Sequence, residues 1–418
     1  MSPPSPGPPQ ERFRLSMLIY DQRYRSLTIQ IVFMMLIMGF AAWLVDNVIT
    51  NLRAQGQDFS YRFLWQRAGY DINQTLVAYD SNMTHARAMF VGLLNTLLVA
   101  VLGCVLATVA GVIVGVLRLS KNWLVSQIMA VYVEIFRNIP TLLWIIIFYT
   151  LVTIDAPSPR DFAGDVPAAA AWFGGAVVIT NRGVYIPEPL FDNSLGSVSL
   201  RLFDVSLDFV ALLAVVIASF YANKKLLDHA RARQTATGIR PVTWWKSLLI
   251  LFLPVIAALL ALGFRTEHAE LAGFNFQGGV HLRSSLVALW FGLGIYTSAF
   301  VAEIVRAGIL AVSKGQTEAA ASLGLRPTLT MRLVVLPQAL RVIVPPLISQ
   351  YLNLTKNTSL GLAVGYMDLR STLGGITINQ TGRALEGMLL MMLIYLLISL
   401  TISSVMNVYN SRIKLKER

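Results

Sequence analysis

About eight apolar runs, each long enough or nearly long enough to cross a bilayer, decide what this chain can become. They are Leu27–Val48, Ala88–Leu117, Leu124–Thr153, Asp208–Ala222, Trp244–Phe264, Ser284–Val312, Ala339–Gly365 and Leu385–Val408. Hydrocarbon offers no partner for a backbone N–H or C=O, so a run of about 20 apolar residues must close its hydrogen bonds on itself as a helix. The expected fold is therefore all-α, a polytopic membrane helical bundle. Asp208–Ala222 is the shortest of the runs, and a further piece, Ala168–Thr180, reads as re-entrant or superficial. Only 13% of the residues are charged and 55% are hydrophobic. A soluble domain carries about 25% charged residues.

The net charge of +12 does not point to nucleic acid, because the cations flank the apolar runs and do not gather on one face. Arg12, Arg14, Arg23 and Arg25 precede the first run. Arg118 and Lys121 follow the second, and Lys224, Lys225, Arg231, Arg233 and Arg240 follow the fourth. Lys314, Arg326 and Arg332 follow the sixth, and Arg412, Lys414, Lys416 and Arg418 close the chain. The positive-inside rule places all of these, and both termini, in the cytoplasm. Ile49–Arg87 and Ile154–Leu207 then lie outside. The second holds Pro157, Pro159, Pro187 and Pro189 and reads as an irregular insertion. The Pro-rich start MSPPSPGPPQ reads as disordered, and the first apolar run as a retained anchor and not a cleaved signal. The expected organisation is a tail (1–26), an N-terminal helix with an outer loop (27–87) and a first core segment (88–153). An insertion with two helices and a basic inner loop (154–283), a second core segment (284–410) and a short tail (411–418) follow.

Several polar features interrupt the runs. Gly111 and Gly115 form a small-xxx-small site for close helix contact, within the chain or with another subunit. Glu134 and Arg137, and likewise Glu303 and Arg306, stand three apart and can meet across one helical turn. They suit either structural ion pairs or the lining of a substrate path. Pro345-Pro346 should interrupt the seventh run, and Asn353, Lys356, Asn357, Thr358 and Ser359 follow it. Polar backbone at that depth is tolerated where it faces protein or water, so Lys356 could meet a charged solute or could snorkel to an interface. Cys104 has no partner for a disulfide and reads as a buried thiol. His85, His229, His268 and His281 are scattered, read as solvated loop residues and lack metal-ligand spacing. No phosphate loop, nucleophile elbow or zinc-binding His-Glu-x-x-His occurs, so neither ATP hydrolysis by that chemistry nor a cofactor is expected of this chain.

The stretch Glu318–Pro337, EAAASLGLRPTLTMRLVVLP, lies between the sixth and seventh runs and serves no need of a lipid span. Ser313-Lys-Gly-Gln316 fits a capping box before it. Ala319, Ala320 and Ala321 favour helix and add no bulk. Gly324 suits the left-handed position that stops a helix, Pro327 opposes continuation, and Pro337 should break the next segment. The outcome is a short inner-side helix with a flat alanine face that another protein can approach closely.

That stretch resembles the EAA loop of bacterial ABC-importer permeases, through Glu318, Ala319, Ala320, Gly324, Leu336 and Pro337 within residues 313–338. FVGLLNTL from Phe90, VYVEIFRNIPTL from Val131, YTSAFVAEIVRAGI from Tyr296 and YLNLTKNTSL from Tyr351 resemble the polar amino-acid branch. With its insertion and added first helix, the chain is similar to general L-amino-acid and glutamate/glutamine/aspartate/asparagine permeases. The resemblance implies a type I permease core in an inner (plasma) membrane. It also implies a separate ATP-binding subunit, as a homodimer, seated on the EAA helix. A second related permease chain and a periplasmic amino-acid-binding protein would complete the importer. A stand-alone ion-coupled carrier is the alternative, motivated by the polar seventh run. An intramembrane enzyme lacks any visible nucleophile–base pair.

Overall fold

A computed structural model describes residues 17–54, 58–163, 168–200, 203–239 and 241–413. The Pro-rich start, Arg12, Arg14, Arg240 and the cations from Lys414 onward lie outside these residues. The chain divides into two units, Met1–Arg62 and Phe63–Arg418. In the first unit, α1 (Met17–Tyr20) precedes α2 (Gln22–Ala54), a 33-residue helix whose large apolar side chains from Leu27 to Ile49 are exposed.

The second unit begins sooner than the second apolar run. Its strand-free segment 63–84 leads into α3 (His85–Leu117), which Thr84 caps by accepting a hydrogen bond from the Arg87 N–H. Next come α4 (Trp123–Asn138) and α5 (Thr141–Thr150). Their sequence was expected to be one span, but the helices meet at 104°. Pro140 supplies no N–H and forces Ile139 into an extended conformation, with φ −96° and ψ 134°.

The insertion is ordered by strands where irregular chain was expected. Strands β1 (Val178–Thr180), β2 (Gly183–Ile186) and β9 (Val280–Arg283) form an antiparallel sheet in the order β1-β2-β9. Strand β3 (Glu188–Phe191) pairs with β6 (Phe264–Glu267), β4 (Ser197–Leu200) with β5 (Phe203–Ser206), and β7 (Glu270–Ala272) with β8 (Asn275–Gln277). The run Ala168–Thr180 contributes β1 and exposes Trp172 and Phe173, so it is superficial and not re-entrant. Between β5 and β6 stand α6 (Leu207–Thr237) and α7 (Trp244–Ala261). Helix α6 runs fifteen residues past Ala222, because nothing from Asn223 to Thr237 breaks a helix and Gly238, at φ 71°, then ends it.

The remaining elements complete the bundle. They are α8 (Ser284–Leu310), α9 (Lys314–Ser322), α10 (Pro327–Thr330), α11 (Leu336–Asn357), α12 (Leu369–Ser371), α13 (Ile378–Thr381) and α14 (Ala384–Ile413). Among the described residues, seven helices are long and apolar enough to cross a membrane, or eight with the α4–α5 pair taken as one span. The core joins Val99 and Ala107 of α3, Ile145 of α5, Leu289, Leu293 and Val301 of α8, and Ile343 and Leu354 of α11. Gly111 and Gly115 serve contact inside the chain. A Cβ at Gly111 would stand 2.8 Å from the Ser298 carbonyl oxygen, and one at Gly115 2.7 Å from that of Ala302. In lipid, where apolar side chains gain nothing by leaving the solvent, such backbone proximity is what holds helices together.

Two proline expectations are corrected. Helix α11 passes through Pro345 and Pro346 without a break, and its α-geometry ends only at Asn357, where a 3₁₀ turn (Thr358–Val364) takes over. Pro337 does not end the helix either, because the π-turn Met331–Val335 runs straight into α11 and its wider turn accommodates the residue that has no N–H.

Candidate functional site

Two places gather the functional candidates. The first is the end of the bundle that carries α9. Ser313 is the N-cap of α9 in extended conformation, but its side chain makes no capping hydrogen bond, so the expected capping box is not formed. The other end is as expected and more complete. Gly324 adopts φ 73°, its N–H donates to the Ala321 carbonyl (2.9 Å), and the Leu325 N–H donates to that of Ala320 (3.1 Å). This paired arrangement satisfies the last carbonyls of the helix. Ala320 faces inward and is buried. Glu318, Ala319, Ala321 and Gly324 are exposed, and Leu323 keeps 82% of its surface. Helix α9 rests on the return run of α10 and a π-turn, Met331–Val335, and the Gln338 side-chain amide donates to that of Gln316 at 3.4 Å. Leu336 and Pro337, which open α11, are also exposed. The arrangement is a two-turn projection with its C-terminal carbonyls satisfied and one face open.

Just above lies an ion cluster that the sequence showed only in part. Arg306 Nη2 donates to Glu303 Oε1 at 2.6 Å, and Arg118 of α3 closes on the other oxygen of Glu303. The carboxylate is shared by two guanidiniums and ties the C-terminal ends of α3 and α8 together. Glu134 and Arg137 make no ion pair among the described residues. Both are exposed, and Arg137 lies over the Phe300 ring at 5.3 Å.

The second place is the polar break after α11. Thr358 is buried and donates to the Thr355 carbonyl, and Ser359 donates to that of Lys356, both at 2.8 Å. These bonds occupy backbone acceptors that the end of an α-helix leaves open. Asn353 and Lys356 are exposed, and Lys356 has no ion-pair partner among the described residues. This group does not converge with Glu303 and Arg306. Gly308, near the end of α8, packs on Ile343 in the first half of α11, whereas Leu354 packs on Gly103 in the middle of α3. The two sets of candidates therefore stand at different depths.

Beside the break is a buried polar cluster that sequence reasoning missed. Asp368 is fully buried and caps α12 by accepting from the Ser371 N–H at 2.9 Å. Tyr395 of α14 donates its hydroxyl to the other oxygen at 3.4 Å. Burial pushes the Asp368 carboxyl up to about 6. Asn95, inside α3, donates to the carbonyls of Gln74 (2.7 Å) and Met367 (2.9 Å), and Tyr366 donates to the Asn95 carbonyl (3.0 Å). The adjacent Thr96 hydroxyl accepts from the Leu369 N–H at 3.0 Å. The polar pair Asn95-Thr96 within an otherwise apolar run was the available signal. His85, expected in a solvated loop, is buried at the start of α3, with Nδ1 3.0 Å from the Thr377 hydroxyl. Tyr70 reaches the same Thr377 hydroxyl (3.2 Å) and the Thr372 carbonyl (3.4 Å). Segment 63–84 is thus a strap sewn across the end of the bundle where α3 begins. No group of His, Cys, Asp and Glu among the described residues could hold a metal ion.

Comparison with known proteins places this architecture. The family model of the inner membrane component of binding-protein-dependent transport systems matches residues 107–415. The chain is 60% identical to the glutamate/glutamine/aspartate/asparagine transport system permease protein BztB of Rhodobacter capsulatus, over 98% of this chain and 99% of that protein. It is 42% identical to the general L-amino acid transport system permease protein AapQ of Rhizobium johnstonii, over 97% and 96% of the two chains. Identity to the putative amino-acid ABC transporter permease protein YhdX of Escherichia coli is also 42%, over 94% and 95%. The homologues are amino-acid ABC transporter permeases, and membership implies ATP-binding and substrate-binding partners in general terms. This multi-pass chain belongs to the family of inner membrane components of binding-protein-dependent transport systems.

Proposed function

We propose that this chain is a non-catalytic permease subunit of an ATP-driven importer of polar L-amino acids. A periplasmic binding protein delivers the solute, a homodimeric ATP-binding subunit supplies hydrolysis, and a second related permease chain completes the path. The observation that carries the coupling role is the α9 projection. It is short and firmly closed at its C-terminal end, and it presents Glu318, Ala319 and Gly324 to the outside. A knob of this kind can sit in a partner's groove and pass a push to α8 and α11, the helices on either side of it. The cations around α9 support a cytoplasmic position for it and for both termini. Asn353, Lys356, Asn357, Thr358 and Ser359 are the candidates for meeting the solute. Glu303 and Arg306 act instead as an inner brace.

Gly324→Ala tests the coupling role. No atom lies within 4 Å of the new Cβ, so only the left-handed backbone is penalised. That penalty is about 1 kcal/mol. The variant should insert and fold normally, bind its ATP-binding subunit more weakly and lose most ATP-driven uptake. Normal uptake together with normal assembly would remove the coupling role. The carrier alternative requires uptake by the chain alone down an ion gradient. Family membership speaks against it, and reconstitution with and without the ATP-binding subunit separates the two.

A further inference from the structure

We propose that the turned end of the α6–α7 hairpin is a binding site for anionic phospholipid headgroups, built on Lys224, Lys225 and Lys246. The argument starts from length. Helix α6 has 31 residues, which at 1.5 Å each reach about 46 Å, against a hydrocarbon core of about 30 Å. Its apolar part, Leu207–Ala222, accounts for about 24 Å of this and ends two residues before Lys224. The rest of the helix must leave the hydrocarbon. Lys224 and Lys225 stand about 26–27 Å along the axis from Leu207, a few ångströms short of the far boundary, and their four-carbon stems carry the ammonium groups to the headgroup layer.

Helix α7 re-enters at the same level with Trp244, Trp245 and Lys246 in its first turn, all exposed. Tryptophan settles at that interface, and the lysines can lay their stems along apolar surface with the charge outward. Lys225 Nζ lies 4.9 Å from the Tyr221 ring and Lys246 Nζ 5.3 Å from the Trp245 ring, which directs both towards the level of the aromatic belt. Neither they nor Lys224 makes an ion pair among the described residues. Arg231 and Arg233 lie about 10–14 Å further along the axis, roughly one Debye length from the lipid phosphates. Arg231 is partly answered by Asp228 at 3.4 Å. The occupant follows from charge and place. Three unpaired cations held at headgroup depth, on a hairpin whose chief helical neighbour is its own other half, select an anionic lipid over a zwitterionic one.

Native mass spectrometry of the purified full-length chain tests this, titrating phosphatidylglycerol or phosphatidylcholine of identical acyl chains. Each cation near the surface contributes about fivefold in affinity. Replacing all three (Lys224→Gln, Lys225→Gln and Lys246→Gln) should therefore weaken phosphatidylglycerol retention by on the order of a hundredfold and leave phosphatidylcholine unchanged. The corresponding Lys→Arg triple variant should retain phosphatidylglycerol, which separates charge from any fault in folding. Unchanged retention in the Gln variant, equal loss of both lipids, or loss in the Arg variant as well would overturn the proposal. Protection of these lysines from amine-reactive label in the assembled transporter in pure phosphatidylcholine discs would overturn it too, since an acidic protein surface would then be the occupant.

Discussion

Helices α8 and α7 are both apolar enough to cross a membrane, yet 67% of the apolar window of α8 is buried in the protein and none of that of α7. Hydrophobicity does not separate them. In lipid an apolar side chain gains little by moving from acyl chains to another helix, so burial follows fit and polar partners. Helix α8 carries Gly292, Gly294 and Gly308, and a Cβ on Gly292 would meet the Ile145 backbone at 2.9 Å. It also offers Ser298, whose hydroxyl lies 2.7 Å from that of Tyr132 on α4. Helix α7 has no glycine and is studded with Leu, Ile and Phe on every side. The first is a wall of the machine and the second is a post in the lipid.

The comparison breaks most directly by adding bulk to each kind of helix. Gly111→Leu, on the α3 face that meets α8, should cost about 3 kcal/mol or abolish folding, because the nearby Ser298 carbonyl is backbone and cannot rotate away. Ala257→Leu on the exposed flank of α7 should stay within about 0.5 kcal/mol. Thermal unfolding in detergent micelles, followed by size-exclusion recovery, measures both. Equal losses would end the distinction between wall and post.

A smaller effect sharpens it. Glu303→Gln leaves the Arg118 and Arg306 guanidiniums together without their shared anion. The Glu303 side chain keeps 27% of its surface. Solvent therefore screens part of the loss, and about 1–2 kcal/mol is expected by the same assay. A neutral result would mean that glycine packing alone holds the C-terminal ends of α3 and α8.

The smallest effect is a pH dependence. Asp368, outside the spanning helices, has its carboxyl pushed up by burial to about 6. An unfolded aspartate titrates near about 3.9. The folded form thus holds its proton more tightly. Its contribution is fully present below the unfolded value and is lost as pH rises through about 6. The unfolding midpoint should fall between pH 4 and pH 6 in the natural chain and fall less in Asp368→Asn, whose side-chain oxygen still caps α12. Parallel curves for the two would show that the buried acid is not the titrating group.

What could be read from the chain alone follows the same division. The spans were legible because hydrocarbon length is a one-dimensional constraint, and the Gly324 helix stop because a left-handed residue has a local signature. The ends and breaks were less so. Two prolines in a row looked like an interruption at residues 345 and 346, yet α11 absorbs them, while the single Pro140 bends its run sharply. Propensity cannot tell these apart, because packing of neighbouring helices decides which backbone groups find substitutes. The second partner of Glu303, Arg118, and the cluster around Asp368 were out of reach for another reason. Both depend on pairings between residues far apart in the chain.

The strap has a consequence for biogenesis. Tyr70 emerges from the ribosome 302 and 307 residues ahead of the two groups it holds, Thr372 and Thr377. Until residues 372–377 are made, the Tyr70 hydroxyl lacks both of these partners and the ring has its near neighbours Tyr79 and His85. This end of the permease is therefore latched only when synthesis is nearly over.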